Sequence, residues 1–176
     1  MFKEKIISSK HVFSGRAVSL RVDTVGLPSG RHTTREIVEH PACIVAMPID
    51  EQGNVLLVRQ FRHPVNKMLL ELPAGGIEEN ETPENAVRRE LQEEIGYLPN
   101  KLEALGGFYS APGFCTEYLY LFIATELTPS RLVASDTDEI KVIRMPLAKI
   151  PDLIVSGEIC DSKSVAGLLR YLKEKI

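Results

Sequence analysis

The first forty residues alternate between polar and apolar positions in three segments. These segments cover 6–13, 17–25 and 31–39, and each is separated from the next by a turn that contains glycine. Alternation of period two between such turns predicts the strands of an antiparallel sheet. Three strands without a helix bury little apolar surface, so we expect this unit to pack on the main domain or on a second subunit.

The pattern changes from residue 42 onward to longer apolar runs. Residues 43–50 and 54–61 form two such runs on either side of a turn at Gly53, and they predict strands that are buried on both faces. Further strands are predicted at 102–109, 118–124 and 140–144. The chain ends with two predicted helices, one at 147–155 and one after Ser162. The apolar stripe of the last helix is predicted to pack into the core and consists of Val165, Leu168, Leu169 and Leu172.

A further helix is predicted between Thr82 and Gly96 in the middle of the chain. Thr82 is suited to the N-cap position, and Pro83 to the first helical position, where a missing N–H costs nothing. Gly96 can end the helix in a left-handed conformation without steric cost. One face of this helix carries an apolar stripe that we expect to anchor it in a core, namely Val87, Leu91 and Ile95.

Three carboxylates share another face of the same helix. Glu90, Glu93 and Glu94 stand at positions i, i+3 and i+4, so their side chains converge. One interpretation is a solvated acidic surface; the other is a site for a hard divalent cation, Mg²⁺ above all, which relieves the repulsion between them. The Pro73-Ala74-Gly75-Gly76 bend just before the helix brings backbone carbonyls close, and that of Ala74 is a candidate further ligand.

Composition narrows the classes of function. The chain has 176 residues, enough for one domain with a sizeable core, and we expect a boundary at His40-Pro41 between units 1–40 and 41–176. The net charge of −3 gives no reason to expect nucleic acid as a partner. Its three cysteines lack C-x-x-C spacing, which favours buried free thiols in a reducing compartment. We find no membrane-span or signal-peptide pattern, and we expect a cytoplasmic protein.

The stretch around the helix resembles the signature box of the Nudix hydrolases. Gly75 is followed after five residues by Glu81, and after seven more by residues 89–97, which read RELQEEIGY. Every defining position of that box is filled. The resemblance implies an α/β fold, a Nudix α/β/α sandwich with a mixed sheet, preceded here by the small N-terminal antiparallel unit. It also implies metal-dependent hydrolysis of a nucleoside diphosphate that is linked to another moiety.

The flanking segments resemble the ADP-ribose pyrophosphatase branch of that family. They include ELPAGG before the box, SAPGF after it, and Pro112, which lies sixteen residues beyond Gly96. This implies cleavage of ADP-ribose to AMP and ribose 5-phosphate. GDP-mannose pyrophosphatases share most of these segments, so a nucleotide sugar is the alternative substrate. A second alternative, a non-catalytic ligand-sensing module, fits less well because the box is intact and no room remains for a DNA-binding segment.

The resemblance also implies roles for individual residues. Glu90, Glu93 and Glu94 with the Ala74 carbonyl would hold Mg²⁺, or Mn²⁺ in its place. Arg89 would be structural, pairing with a box carboxylate although it points to another side of the helix. Glu81 would be an outer ligand or a scaffold group. Substrate contacts would come from Arg35, Arg62 and Pro112; for the two arginines the alternative is a surface ion pair.

Two further expectations concern the catalytic base and the assembly. In the resembling branch an acidic loop supplies the base, which here implicates Glu139, with Asp136 and Asp138 as alternatives. A solvated loop is the other interpretation. The resembling enzymes also exchange their N-terminal strands between subunits, so we expect a homodimer in which Arg35 completes the partner's site.

Overall fold

The computed structural model of the chain describes residues 3–134 and 140–175. The chain forms two compact units. One comprises Met1–Ala42 with Tyr109–Tyr118, and the other comprises Cys43–Phe108 with Leu119–Ile176. The sequence-based division into 1–40 and 41–176 stays a prediction.

The first unit contains a three-stranded antiparallel sheet. Its strands are β1 (Lys5–Ser14), β2 (Ser19–Gly26) and β3 (His32–Glu39), in the spatial order β1-β2-β3. The three alternating segments of the sequence therefore form strands, as predicted. Strand β1 lies at the edge of the sheet, and all ten of its residues are exposed.

The described residues of the second unit form two sheets and three α-helices. One sheet has the order β7-β4-β9-β8, with β4 parallel to β9 and antiparallel to β7; the other is antiparallel with the order β10-β5-β6. Short 3₁₀ turns occupy His63–Val65 and Leu147–Lys149. The elements are β4 (Cys43–Pro48), β5 (Asn54–Arg62), β6 (Lys67–Glu71), β7 (Ala74–Gly76), α1 (Pro83–Glu94), β8 (Tyr97–Tyr109), β9 (Tyr118–Pro129), β10 (Lys141–Pro146), α2 (Ile150–Val155) and α3 (Ser162–Lys175).

Strand β4 is buried on both faces, as its continuous apolar sequence predicts. Val45 and Met47 belong to a core cluster that includes Leu168 of α3. The alternate residues, Ile44 and Ala46, belong to a second cluster that contains Val87 and Leu91 of α1. Because successive side chains of a strand point to opposite faces, β4 contributes to both core clusters, one on the α3 side and one on the α1 side. The predicted α/β/α architecture with a mixed sheet is confirmed.

Helix α1 begins and ends where the sequence predicts. The hydroxyl of Thr82 accepts a hydrogen bond from the backbone N–H of Asn85, and Pro83 is the first helical residue. Gly96 has a φ of +74°, the left-handed conformation that glycine adopts without a Cβ penalty. The predicted apolar stripe, Val87, Leu91 and Ile95, is buried.

Two expectations from the sequence are wrong. Leu169 of α3 is 48% exposed, whereas Leu168 is fully buried; the helix meets the sheet through Gly167, where an added Cβ would lie 3.1 Å from both Leu72 and Leu121. The second error concerns the thiols. All three cysteines are free, but Cys160 is exposed and Cys115 is half-buried, so only Cys43 is a buried thiol. Within the described ranges, no helix combines the length and apolar character that a bilayer crossing requires.

Candidate active site

A polar cavity of about 470 Å³ lies in the second unit, at the start of β7 and along one face of α1. Four glutamates and two arginines dominate its lining. The lining residues are Gln60, Arg62, Ala74, Gly75, Gly76, Glu78, Arg89, Glu90, Glu93, Glu94, Ala134 and Ile140. The residues that the sequence singles out around the helix therefore meet in one place.

The three carboxylates of α1 are largely removed from solvent. The side chains of Glu90 and Glu93 are 12% and 18% exposed, and Glu94 is 7% exposed. A merely solvated acidic surface, the first interpretation of this pattern, does not describe this face. Burial of several like charges is costly unless a positive group or ion compensates them.

Glu94 is the most deeply placed of the three. Its carboxylate accepts a hydrogen bond of 3.2 Å from the backbone N–H of Ala74. Burial, reinforced by the charge of Glu90, raises the pKa of Glu94 to about 8. The ionised form of this carboxylate is therefore disfavoured unless more positive charge approaches it.

Glu90 lies directly against the backbone at Gly75. An added Cβ at residue 75 would fall 2.0 Å from the carboxyl carbon of Glu90, so only glycine leaves room for this approach. Burial raises the pKa of Glu90, and its hydrogen bond with Arg89 opposes that effect. Strand β7 and helix α1 thus fix the carboxylate of Glu90 between them.

Arg89 connects the carboxylates with the loop before the helix. Its guanidinium donates to both carboxylate oxygens of Glu81, at 3.0 and 2.9 Å, and to the carbonyl of Gly76 at 2.8 Å. It also donates to Glu90 at 2.6 Å and to Glu93 at 3.3 Å. Arg89 pairs with box carboxylates, as the resemblance implies; although it leaves the helix on another side, its long side chain curls back to them. Both carboxylate oxygens of Glu81 accept from Arg89, which favours a scaffold role for Glu81 over that of an outer ligand.

Arg62 reaches the cavity from the end of β5, and its partner is Glu71 at the end of β6. The guanidinium Nη2 and the Glu71 carboxylate are 2.6 Å apart, and Nε lies 3.1 Å from the other oxygen. The hydrogen bond with Glu71 raises the pKa of Arg62. Since Glu71 is only 1% exposed, this pair is not the surface ion pair that was the alternative.

Sequence reasoning did not single out Glu71 or its second partner, Lys163. The Lys163 ammonium lies 2.6 Å from Glu71 and 2.8 Å from Asp161. One signal was present, because Glu71 is a charge inside the apolar stretch MLLELP and a buried charge needs a partner. The identity of that partner was not readable, since Lys163 lies 92 residues further along the chain.

Two further candidates, Arg35 and Pro112, are not among the described residues that line this cavity. Arg35 lies on β3 in the first unit, where its guanidinium is 2.5 Å from Glu4, and Pro112 also belongs to that unit. The candidate bases Asp136, Asp138 and Glu139 lie outside the described residues. The described residues on either side of them, Ala134 and Ile140, do line the cavity.

The donor set of the cavity suits a hard divalent cation. Glu90, Glu93 and Glu94 offer carboxylate oxygens, and Ala74 offers a carbonyl at the cavity wall. Oxygen donors with excess negative charge are what Mg²⁺ and Mn²⁺ prefer in proteins. The raised pKa of Glu94 points the same way, because a cation would favour its ionised form.

The chain is similar to proteins of known family and fold. A family model described as NUDIX domain matches residues 38–164 of the chain. A solved structure titled "Crystal structure of ADP compounds hydrolase" aligns with a TM-score of 0.90 at 23% sequence identity. It covers 99% of this chain and 97% of that chain. This likeness shows the fold.

Several curated proteins are similar over much of their length. The ADP-ribose pyrophosphatase of Bacillus subtilis is 35% identical over 98% of this chain and 94% of its own length. The methanol dehydrogenase activator of Bacillus methanolicus is 38% identical with the same coverage. A GDP-mannose pyrophosphatase of Yersinia pestis is 37% identical over 69% of this chain and 65% of its own length.

Proposed function

The chain belongs to the Nudix family, and from this premise we propose that it is a pyrophosphatase that hydrolyses ADP-ribose to AMP and ribose 5-phosphate. The observation that carries the proposal is the buried carboxylate cluster of α1. It stands in a chain that is similar along 98% of its length to an ADP-ribose pyrophosphatase. A sensing module would not need three carboxylates held together against their mutual repulsion.

The proposed cofactor is Mg²⁺, with Mn²⁺ as a substitute, since Nudix proteins generally use a divalent metal. Glu90, Glu93, Glu94 and the Ala74 carbonyl would hold it. When bound, the ion would neutralise charge on the diphosphate and activate a water molecule for attack.

The side chains of the protein itself orient the reacting groups. Arg89 ties Glu90 and Glu93 to the end of β7 at Gly76 and so fixes where their oxygens lie. Such outer partners of ligating groups set ligand geometry and basicity. Arg62 presents a guanidinium at the cavity wall, and a planar fork of this kind binds phosphate oxygens with defined orientation.

The proposed catalytic base is Glu139, which together with Asp136 and Asp138 lies outside the described residues. Glu139→Gln should lower kcat by about 10²–10⁴ with little change in KM, because general-base catalysis contributes on that scale. Parallel measurements on Asp136→Asn and Asp138→Asn identify the base among the three. Near-wild-type rates in all three variants would move the role elsewhere.

The substrate is tested by a panel that includes the alternative. ADP-ribose, GDP-mannose, ADP-glucose, diadenosine polyphosphate and NADH are compared by kcat/KM, with products identified. The proposal requires ADP-ribose to have the highest kcat/KM. GDP-mannose is favoured by one specific observation, the 37% identity to a GDP-mannose pyrophosphatase, although that match covers only 69% of the chain. A preference for GDP-mannose would replace ADP-ribose while leaving the reaction type intact.

The proposed assembly is a cytoplasmic homodimer in which the N-terminal strands are exchanged. Strand β1 supports it, because this edge strand exposes Ile6, Ile7, Val12 and Phe13. Exposed edges with apolar side chains invite pairing with another chain. Arg35, on β3 of the same sheet, would then reach the partner's site.

A complementation experiment tests the shared site. Inactive Arg35→Ala is mixed with inactive Glu94→Gln, and the subunits are allowed to exchange. If the sites are composite, roughly a quarter of wild-type activity returns, since half of the dimers are mixed and each has one intact site. No recovery after demonstrated exchange, or a monomer in light scattering, would contradict the shared site.

A further inference from the structure

The strand before the bend at residues 73–76 ends in a buried charge. Glu71 is the last residue of β6, and it is only 1% exposed. A carboxylate in such surroundings is stable only when cations or hydrogen bonds satisfy it. Burial alone would raise the pKa of Glu71, but hydrogen bonds and charges from Arg62 and Lys163 outweigh burial and lower it. Glu71 is therefore an ionised group with two cationic partners.

Arg62 meets Glu71 with one edge of its guanidinium. Nε and Nη2 donate to the carboxylate, at distances between 2.6 and 3.2 Å. Nη1 donates to no residue in the described part of the chain. A guanidinium has five N–H donors, so the edge-on contact leaves several of them for another acceptor. The side chain of Arg62 is 39% exposed and lines the cavity, which is where that acceptor would lie.

Glu71 is itself held by the first turn of α3. Lys163 donates to Glu71 and to Asp161, and Asp161 also accepts from the backbone and the hydroxyl of Ser164. That hydroxyl in turn accepts from the backbone N–H of Leu72 at 2.7 Å. Two independent connections thus join the end of β6 to α3. The Glu71 carboxylate is therefore held by α3 as well as by Arg62.

We propose that Glu71 is a positioning residue that holds Arg62 edge-on and aims its remaining N–H groups at the diphosphate of the substrate. The proposal rests on the proposed function, since it assigns Arg62 a phosphate to bind. Glu71 is not among the described residues that line the cavity, so it acts only through Arg62.

The alternative partner of Arg62 explains why a fixed position matters. Arg62 and Glu94 line the same cavity, where a carboxylate attracts a guanidinium. A guanidinium released from Glu71 would be drawn towards this carboxylate. The guanidinium would then no longer bind the substrate, and it would occupy part of the cation site.

The first arm of the test is kinetic. Glu71→Gln should raise KM about tenfold or more with a smaller change in kcat, because an interaction with bound substrate is lost. The same substitution made in an Arg62→Ala background should add almost nothing, since residues that act through one another are not additive. Glu158→Gln is the matched control: it removes the carboxylate partner of Arg59, another arginine of β5, leaves Arg62 and Glu71 paired, and should keep KM near wild type.

The second arm observes Arg62 directly by NMR in the absence of substrate and metal. The Nε–H resonance of Arg62, identified by its loss in Arg62→Lys, should exchange slowly with water in the wild type and rapidly in Glu71→Gln. If Glu71→Gln does not fold, Glu71→Asp keeps the charge, shortens the reach, and should show the same two changes.

The outcomes separate the two proposals. Wild-type protein that cleaves no diphosphate overturns the proposed function before any variant is compared. Active wild type with an unchanged KM in Glu71→Gln overturns only the positioning role. Additive losses from Arg62→Ala and Glu71→Gln, or equal exchange of the Nε–H in wild type and variant, also overturn it.

Discussion

The carboxylate of Glu90 lies against the backbone of Gly75, in the space that a side chain at residue 75 would fill. A Cβ there would be 2.0 Å from both the carboxyl carbon and one carboxylate oxygen. The next residue, Gly76, has no atom within 4 Å of such a Cβ. Of these two adjacent glycines of β7, Gly75 therefore leaves no room for a side chain, whereas Gly76 does.

Gly75→Ala should fold but lose activity on the order of 100-fold, because a misplacement of about 1 Å at a reacting centre costs that much. Gly76→Ala is the control and should stay within a few-fold of wild type. Steady-state kcat and thermal unfolding of both variants give the answer. Equal kcat values for the two variants would mean that catalysis does not depend on this position of the Glu90 carboxylate.

Arg89→Lys should lower activity by about 10–100-fold, as loss of an outer partner of ligating groups does. A lysine keeps the charge but cannot bridge Glu81, Glu90, Glu93 and the Gly76 carbonyl at once. Arg88→Lys, at the neighbouring position, should be nearly silent, because within the described part of the chain Arg88 donates only to a backbone carbonyl of its own helix. Similar losses in both variants would point to a general effect on the helix.

Asp50 should stabilise the protein in a pH-dependent manner. Burial acts to raise its pKa, but hydrogen bonds from Asn54 and Gln52 outweigh burial, so the native pKa lies below the usual value. The stabilisation is therefore complete above the unfolded pKa and is lost as the pH falls through the native pKa. Asp50→Asn should cost about 1 kcal/mol at pH 7, typical of hydrogen bonds to a charged group that are partly retained.

Denaturant unfolding of wild type and Asp50→Asn, from pH 7 down to pH 3, measures the contribution of Asp50 to the free energy of unfolding. The difference in unfolding free energy should narrow as the pH falls. A difference that is constant with pH would mean that the stabilisation does not depend on the charge of Asp50. Activity at pH 7 serves as the control and should not change, since Asp50 does not line the cavity among the described residues.

Leu168 and Leu169 should differ sharply in their contribution to stability. Leu168→Ala should cost about 2–5 kcal/mol, as for other buried leucines. Leu169→Ala should change the unfolding free energy by about 0.5 kcal/mol or less, because surface substitutions rarely do more. Chemical denaturation of both variants tests which face of α3 packs on the sheet.

Local patterns predicted the elements well. Thr82, Pro83 and Gly96 predicted the limits of α1 because caps depend on nearby backbone groups. The apolar run at β4 predicted a strand buried on both faces, because burial on two sides leaves no polar positions. The stripe of α3 was wrong at Leu169, because its true contact face is set by Gly167, whose lack of a side chain is invisible to a count of apolar residues.

The candidate site was predictable only in part. Glu90, Glu93 and Glu94 lie within two turns of one helix, so their convergence follows from helical geometry. The pairing of Arg89 with box carboxylates followed from the resemblance and not from helical geometry, because its long side chain also follows partners that precede the helix. The pairing of Glu71 with Lys163 depends on how β6 meets α3, a contact across 92 residues that no local pattern specifies.

The most direct test of the account is an analysis of the products formed from ADP-ribose by wild type and by Glu94→Gln. With Mg²⁺ the wild type should release AMP and ribose 5-phosphate in equal amounts, and excess EDTA should abolish the release. Glu94→Gln should remain folded but be slower by about 10³-fold or more, because it loses a charge from the proposed cation site. Full turnover in EDTA, or by Glu94→Gln in Mg²⁺, would contradict the account.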